Sequence, residues 1–324
     1  MPENEFMSNP QFHALLPVRD EADIIGQSLR YMLTWADAIY VFDTGSVDET
    51  WEIVQDFAGK NRRVIPLRKD AVYYSEPLLR GWMFHQARKN MRNGDWFLRV
   101  DADEFHHILP PEFVKTRLRR HETIAWHQYY DFRLRASEVT AWDNGQETLA
   151  DRKRPIEERR QWFTPSDYSE PRLCRYRETM QWPTTHSFPF NSGYVAHERL
   201  PIRHYPHRDP EQLHRRVRLR AIMMANYNRD WTNPESHHWS QGEWRKFITP
   251  DDLLELRYWQ PGTEFPKFHF NSHLRSPHVR AVQRFVHTFC LPVLDRTRGR
   301  WAETAYPPKI PAELVKVLER ELAR

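Results

Sequence analysis

Apolar and polar positions follow two rhythms over the first third of the chain. Phe12–Val18 (FHALLPV) is a short, nearly unbroken apolar run that stops at a charged turn, the pattern of a buried strand. Residues 23–35 then place Ile24, Ile25, Leu29, Met32 and Leu33 near helical spacing. The pair repeats. Residues 38–42 (AIYVF) read as a second strand, and residues 47–57 as a helix with Ser46 as N-cap and Glu49 completing a capping box. Residues 63–67 (RVIPL) give a shorter strand weakened by its proline. Residues 77–91 give a helix with Pro77 in its first turn, and residues 96–100 (WFLRV) a fourth strand that runs straight into acids.

Strand–helix alternation with short connections predicts an α/β fold, a doubly wound and mostly parallel sheet. Ligands bind such sheets beyond the carboxyl ends of the strands. Three of the expected strand ends carry acids: Asp20 and Glu21, then Asp43, then Asp101 to Glu104. Farther on, residues 123–134 and 171–176 read as strands and 211–224 as a helix. Residues 135–161, charged and poor in large apolar side chains, read as a long surface loop within 135–165. A catalytic domain of residues 1–225 and an aromatic-rich, mainly helical or irregular C-terminal extension of 226–324 follow. The extension ends in an amphipathic helix at 311–323 that packs on the domain.

Composition adds less. Hydrophobic residues at 40% and charged residues at 28% are globular values, and 324 residues suit a sizeable domain with an accessory region. The 13 Trp and 17 His are numerous; most belong to core and surface, and a few suit the C–H faces of sugar rings. A net charge of +4 favours anionic partners such as nucleotide phosphates, anionic glycans or membrane headgroups. The basic runs at 117–120, 152–160 and 215–220 read as solvated helix faces and come with no nucleic-acid-binding motif. Two cysteines without zinc spacing exclude a disulfide framework and a structural zinc. With no apolar run approaching the ~20 residues of a bilayer span, and a polar N-terminus, the expectation is a cytoplasmic protein without a transmembrane segment, peripheral membrane contact being compatible with its charge.

The chemistry centres on Asp101-Ala102-Asp103-Glu104-Phe105. Two carboxylates one residue apart at a strand end can face one hard cation, Mg²⁺ or Mn²⁺, which takes the rest of its shell from water and phosphate. The second motif runs from Val41 to Thr50 (VFDTGSVDET), where Asp43 leaves the strand and Gly45 permits a tight turn. His106 and His107 follow the acids, but adjacent strand residues point to opposite faces, and both read as structural.

Taken together, LPVRDEADII, VFDTGSVDET and GDWFLRVDADEF resemble the N-terminal half of family 2 glycosyltransferases of the GT-A fold, over residues 11–110. Arg172-Leu173-Cys174, His197-Glu198 and Arg203-His204-Tyr205 resemble a less specific downstream pattern. The resemblance implies a GT-A-like catalytic domain and an inverting, metal-dependent hexosyl transfer from a nucleotide sugar, a UDP-sugar being favoured. The acceptor hydroxyl would belong to a glycan, a lipid-linked molecule or a protein, as in surface glycan synthesis. It implies Pro17, Arg19, Glu21, Asp43, Arg80 and Asp101 at the nucleotide sugar, and Asp101, Asp103 and His204 at the metal. The base would be a carboxylate after the acidic motif, Glu198 first and Asp131 second, with Glu104 a further candidate or a support of the metal site. The Gln-x-x-Arg-Trp motif of processive members is absent. A nucleotidyltransferase is disfavoured because residues 19–22 lack its glycine-rich basic loop. The alternative retained is a catalytically silent GT-A-like protein that binds glycan or protein.

Overall fold

The computed structural model describes residues 9–189, 192–226, 243–266, 276–290 and 305–322. Along the chain come β1 (Phe12–Val18), α1 (Ile25–Met32), β2 (Ala38–Asp43), α2 (Thr50–Lys60) and β3 (Val64–Lys69). A π-type turn at Glu76–Arg80 leads into α3 (Gly81–Ala87), then β4 (Trp96–Arg99), β5 (Glu104–His106) and α4 (Pro110–Thr116). The chain continues with β6 (Ile124–Asp131), α5 (Ala136–Asp143), α6 (Ile156–Arg159), β7 (Trp162–Pro165) and β8 (Pro171–Arg175). Then follow β9 (Leu200–His204), α7 (Pro210–Asn226) and β10 (Arg257–Tyr258), with helices at Pro277–Phe285 and Ala312–Leu322.

The result is an α/β fold around a sheet in the order β10-β7-β6-β8-β4-β1-β2-β3. Its β3-β2-β1-β4 half is parallel, and β8, β6, β7 and β10 extend it antiparallel. Every residue of β1 and β2 is buried, as expected of parallel strands covered on both faces. Alternation divides them between two cores. Ala14, Leu16, Ile39 and Val41 meet α1 and α2, while Leu15, Tyr40 and Phe42 meet Leu79, Met83 and Phe84 of the π-type turn and α3. Pro17 is tolerated in this central strand because pairing with β4 ends at Leu15↔Arg99. Pro66 sits on the edge strand β3, where the register with β2 slips between Val41 and Phe42, a bulge that needs no donor from the proline.

Two expectations change. The helix expected over residues 47–57 begins at Thr50, and Glu49 makes no side-chain cap. Ser46 and Asp48 instead bind the loop after β1: the Asp20 amide donates to Ser46 Oγ at 2.9 Å and the Ala22 amide to Asp48 Oδ2 at 3.2 Å. Local capping signals yield here to a loop-to-loop contact.

Residues 135–161, expected as a surface loop, hold α5, a short 3₁₀ turn at Leu149–Lys153 and α6. Charge pairing fixes this segment where apolar periodicity is absent. Arg159 and Arg160 both bond Glu147, Arg152 and Arg159 both bond Asp209, and Gln27 Nε2 donates to the Arg154 carbonyl. The basic run is therefore divided: Lys153 and Arg154 remain exposed, while Arg159 and Arg160 are buried.

In the C-terminal region, the helix Ala312–Leu322 packs Leu314, Leu318 and Leu322 with Tyr73 and with Leu219, Ile222 and Met223 of α7. Ala323, the intervening stretches 227–242, 267–275 and 291–304 of the expected extension, and the first eight residues of the chain lie outside the described residues. Among the described residues no helix is long and apolar enough to cross a membrane.

Candidate functional site

The carboxyl ends of β1, β2 and β4 meet at one edge of the sheet. Five contacts fasten the loop after β1 to the loop after β2. Arg19 donates to the Thr44 carbonyl, the amides of Asp20, Glu21 and Ala22 donate to Ser46, Thr50 and Asp48, and the Val47 amide donates to Asp20 Oδ1. Asp20 takes a left-handed backbone, φ 54°, to face both ways, a strained conformation for a residue with a Cβ. Gly45, at φ 102°, lets the second loop pass Ala71 so closely that a Cβ there would lie 2.9 Å from the Ala71 Cα.

Behind this edge lies a cavity of about 320 Å³. Six residues singled out in the sequence line it: Pro17, Arg19, Glu21, Asp101, Asp103 and His204. Val72, Tyr73 and Tyr74 form part of its wall, and α7 closes it with Arg216, Leu219, Arg220, Met223 and Met224. The cavity thus joins an apolar end to a charged end.

The charged end is built by strand register. β9 lies between β5 and β6, with His204 opposite Glu104 on one side and Asp131 on the other. Directly opposed residues share a face of a sheet, so three titratable groups stand in one row. Asp131 Oδ1 accepts from His204 Nδ1 at 2.7 Å, and His204 Nε2 faces Asp103 Oδ2 at 3.7 Å. Tyr129 stacks on the His204 ring, 4.5 Å between centroids, and its hydroxyl donates to Glu104.

Arginines from distant parts of the chain complete the site. Arg80, fully buried, donates to the carbonyls of Leu15 and Val100 and to Asp101 Oδ1 at 2.5 Å. Arg172 donates to Asp101 Oδ2 at 3.2 Å and Glu104 Oε1 at 2.8 Å. Arg216 donates to Asp103 Oδ2 at 2.9 Å, and Arg208 to Glu21 Oε2 at 2.5 Å and to both oxygens of Asp23.

These pairs set the protonation states. Burial alone would raise Asp101, but Arg80 and Arg172 hold its carboxyl well below the usual range. Burial likewise opposes ionisation of Asp103, and His204, Arg216 and Arg208 overcome it. Burial alone would lower His204; Asp103 and the hydrogen bond to Asp131 raise it above the ordinary value. Glu104 is pushed up to about 7 by burial, and Glu21 to about 8 by the same cause, against the pull of Arg208.

Five sequence expectations are placed differently. Glu198, the first choice of base, stands at the opposite end of β9 from His204. It lies in the bend before β9, and β9 itself, Leu200–His204, spans roughly 13 Å between them. Its side chain is 47% exposed, 3.9 Å from Arg117. Asp131 does not line the cavity; it lies behind His204 and also bonds Arg133. Asp43 is fully buried and turned inward, its Oδ1 accepting the amides of Gly45 and Ser46, so that Thr44 rather than Asp43 reaches the cavity. Arg80 acts from beneath, through Asp101. The run 215–220 is no solvated face either: Arg216 reaches Asp103, and Arg215 reaches Asp20 at 3.1 Å. Arg172 was marked only as part of a loose pattern, Arg216 only as part of a basic run, and Arg208 and Tyr129 not at all, because nothing near them in sequence signals their partners. His106 is buried against Tyr31 and Trp35 and does not line the cavity.

Among the described residues no three His, Cys, Asp or Glu side chains already converge as a metal cage. The facing pair Asp103 Oδ2 and His204 Nε2, with ionised Asp101 two residues away, is nevertheless a donor set of the kind Mn²⁺ or Mg²⁺ takes, and its 3.7 Å gap is one that a cation ~2.1 Å from each atom can bridge. Arg216 would have to release Asp103 to admit it.

No family model matches the chain, and no curated protein matches it. Solved structures resemble it loosely. A mannosyltransferase from Pyrobaculum calidifontis, solved with GDP-mannose and Mn²⁺, is 13% identical over 98% of this chain and 70% of its own, with a TM-score of 0.33. A mycobacterial protein is 20% identical over 38% of this chain and 42% of its own, with a TM-score of 0.27. The glucosyl-3-phosphoglycerate synthase of Mycobacterium tuberculosis, solved with phosphoglyceric acid, is 20% identical over 41% and 47%, with a TM-score of 0.23. At these scores the likeness carries neither residues nor activity across.

Proposed function

We propose that this protein is a glycosyltransferase that takes a sugar from a nucleotide-diphosphate sugar and passes it to an acceptor hydroxyl. The observation that carries the reading is the cavity itself. An ionised Asp101/Asp103 pair stands at the carboxyl end of the central strand β4, against the loop after β1 and under an arginine-bearing helix. Nucleotide ligands bind open α/β sheets at such strand ends. The apolar wall of Val72, Tyr73, Leu219 and Met223 suits a base, and Arg19, Arg216 and Arg220 suit phosphate oxygens.

Asp103 and His204, with Asp101, are the residues proposed to hold Mn²⁺ or Mg²⁺, which when bound would neutralise charge on a diphosphate leaving group. Asp131 orients His204. As an ionised carboxylate it can only accept, so Nδ1 keeps its proton, and Nε2, facing Asp103, is the nitrogen that would give up its proton to take the cation. Arg80 and Arg172 fix the Asp101 carboxylate, and Arg208 fixes Glu21 at the cavity wall.

The test is release of nucleoside diphosphate from a panel of nucleotide sugars in the presence of Mn²⁺. Release from one donor, lost on chelation and in Asp103→Asn, is expected. A folded protein that neither binds nor consumes any donor would instead fit the silent binding protein.

A further inference from the structure

We propose that the helix Pro277–Phe285 and its continuation to Cys290 form a docking surface for an anionic lipid bilayer. The helix is amphipathic, yet none of its residues is buried. Val282, Phe285 and Phe289 are 62%, 60% and 64% exposed. Their spacing of three and four residues puts them on one face, and the Phe285 and Phe289 rings lie 5.2 Å apart. The opposite face holds the helix to the body: Arg280 lies 5.0 Å over the Tyr194 ring and donates to the Val195 carbonyl. The apolar side is therefore the outward one, the reverse of a helix that packs on its own domain.

Charge selects the occupant. From Ser276 to Cys290 the chain contains no acidic residue and carries Arg280 and Arg284. On the body beside the helix, burial together with Arg284, Arg119 and Arg280 lowers His121 despite its neighbour Glu122, so several cations crowd this patch. Outward phenylalanines beside the exposed Arg284, on a helix with no carboxylate of its own, describe a helix that lies in a membrane interface, its rings at the acyl boundary and Arg284 at the level of the phosphate headgroups. A second copy of this chain would bring the same cations face to face. The proposal is independent of sugar transfer.

The experiment is co-sedimentation of the full chain with vesicles of phosphatidylcholine alone and of equimolar phosphatidylcholine and phosphatidylglycerol. The wild-type protein is expected to sediment with the anionic vesicles only, less so as salt rises. The double variant Phe285→Asp, Phe289→Asp should bind at least about tenfold more weakly, and Arg284→Glu should weaken binding while steepening nothing else in the melting curve. Equal binding to both vesicles, or anionic binding undiminished in the double variant, would overturn the proposal. So would lipid-free self-association that the double variant abolishes, which would assign the face to a second copy.

Discussion

Asp131 and His204 face each other across a parallel strand pair, and this contact decides which role each can take. With Asp131 Oδ1 2.7 Å from Nδ1, the ring is locked with Nε2 toward Asp103. Asp131→Asn keeps the shape and removes the charge. Its expected effect is Mn²⁺ affinity, measured by calorimetry with nucleotide present, lower by about 10–100-fold. A base at Asp131 would give a different signature, a turnover lower by roughly 10²–10⁴-fold with affinity unchanged. Glu198→Gln is expected to leave turnover as it was, because that side chain is a surface group. A loss of more than about tenfold in turnover would return the base to Glu198. Glu21, Asp101 and Asp103 stood out as acids at expected strand ends, whereas Pro17 and Arg19 entered only through the family resemblance; the fold brings all five to one cavity. Arg208 was not, since it meets Glu21 across 187 residues, a pairing that only the completed fold defines.

At the scale of elements, apolar periodicity recovered the β1–β4 strands and the helices between them, because burial on two faces writes itself into the pattern. It failed for residues 135–161, whose helices are held by carboxylates clasping arginines. Asp209 is the centre of that clasp. Burial alone would raise its carboxyl, but the hydrogen bond and charge of Arg152, the Gln212 amide and the charge of Arg159 hold it at about 2. A depressed carboxylate contributes stability above its unfolded value, near 4, and loses it as pH falls through the folded value. The wild-type protein should therefore lose about 2 kcal/mol from this group between roughly pH 4 and pH 2. Asp209→Asn should already be destabilised at pH 7, by about 3–5 kcal/mol, because Arg152 and Arg159 lose their shared partner, and should show a flatter acid limb. Urea unfolding across that pH range reads both effects, and an acid limb as steep in the variant as in the wild type would contradict the assignment.

Across the whole molecule, the cavity is closed by parts that are remote in sequence. The sheet edge supplies the acids and α7 supplies Arg216, Leu219 and Met223. The helix Ala312–Leu322 packs against α7, with Arg218 paired to Glu321, so the end of the chain buttresses the cavity wall. The central claim is that this cavity receives a nucleotide together with a divalent cation. The most direct measurement is calorimetry of UDP, GDP, ADP and CMP with and without Mn²⁺, on the wild-type chain and on Asp103→Asn. The prediction is binding of one nucleotide that depends on Mn²⁺ and disappears in the variant. Binding of no nucleotide by a folded wild-type sample, or binding indifferent to both Mn²⁺ and Asp103, would contradict it.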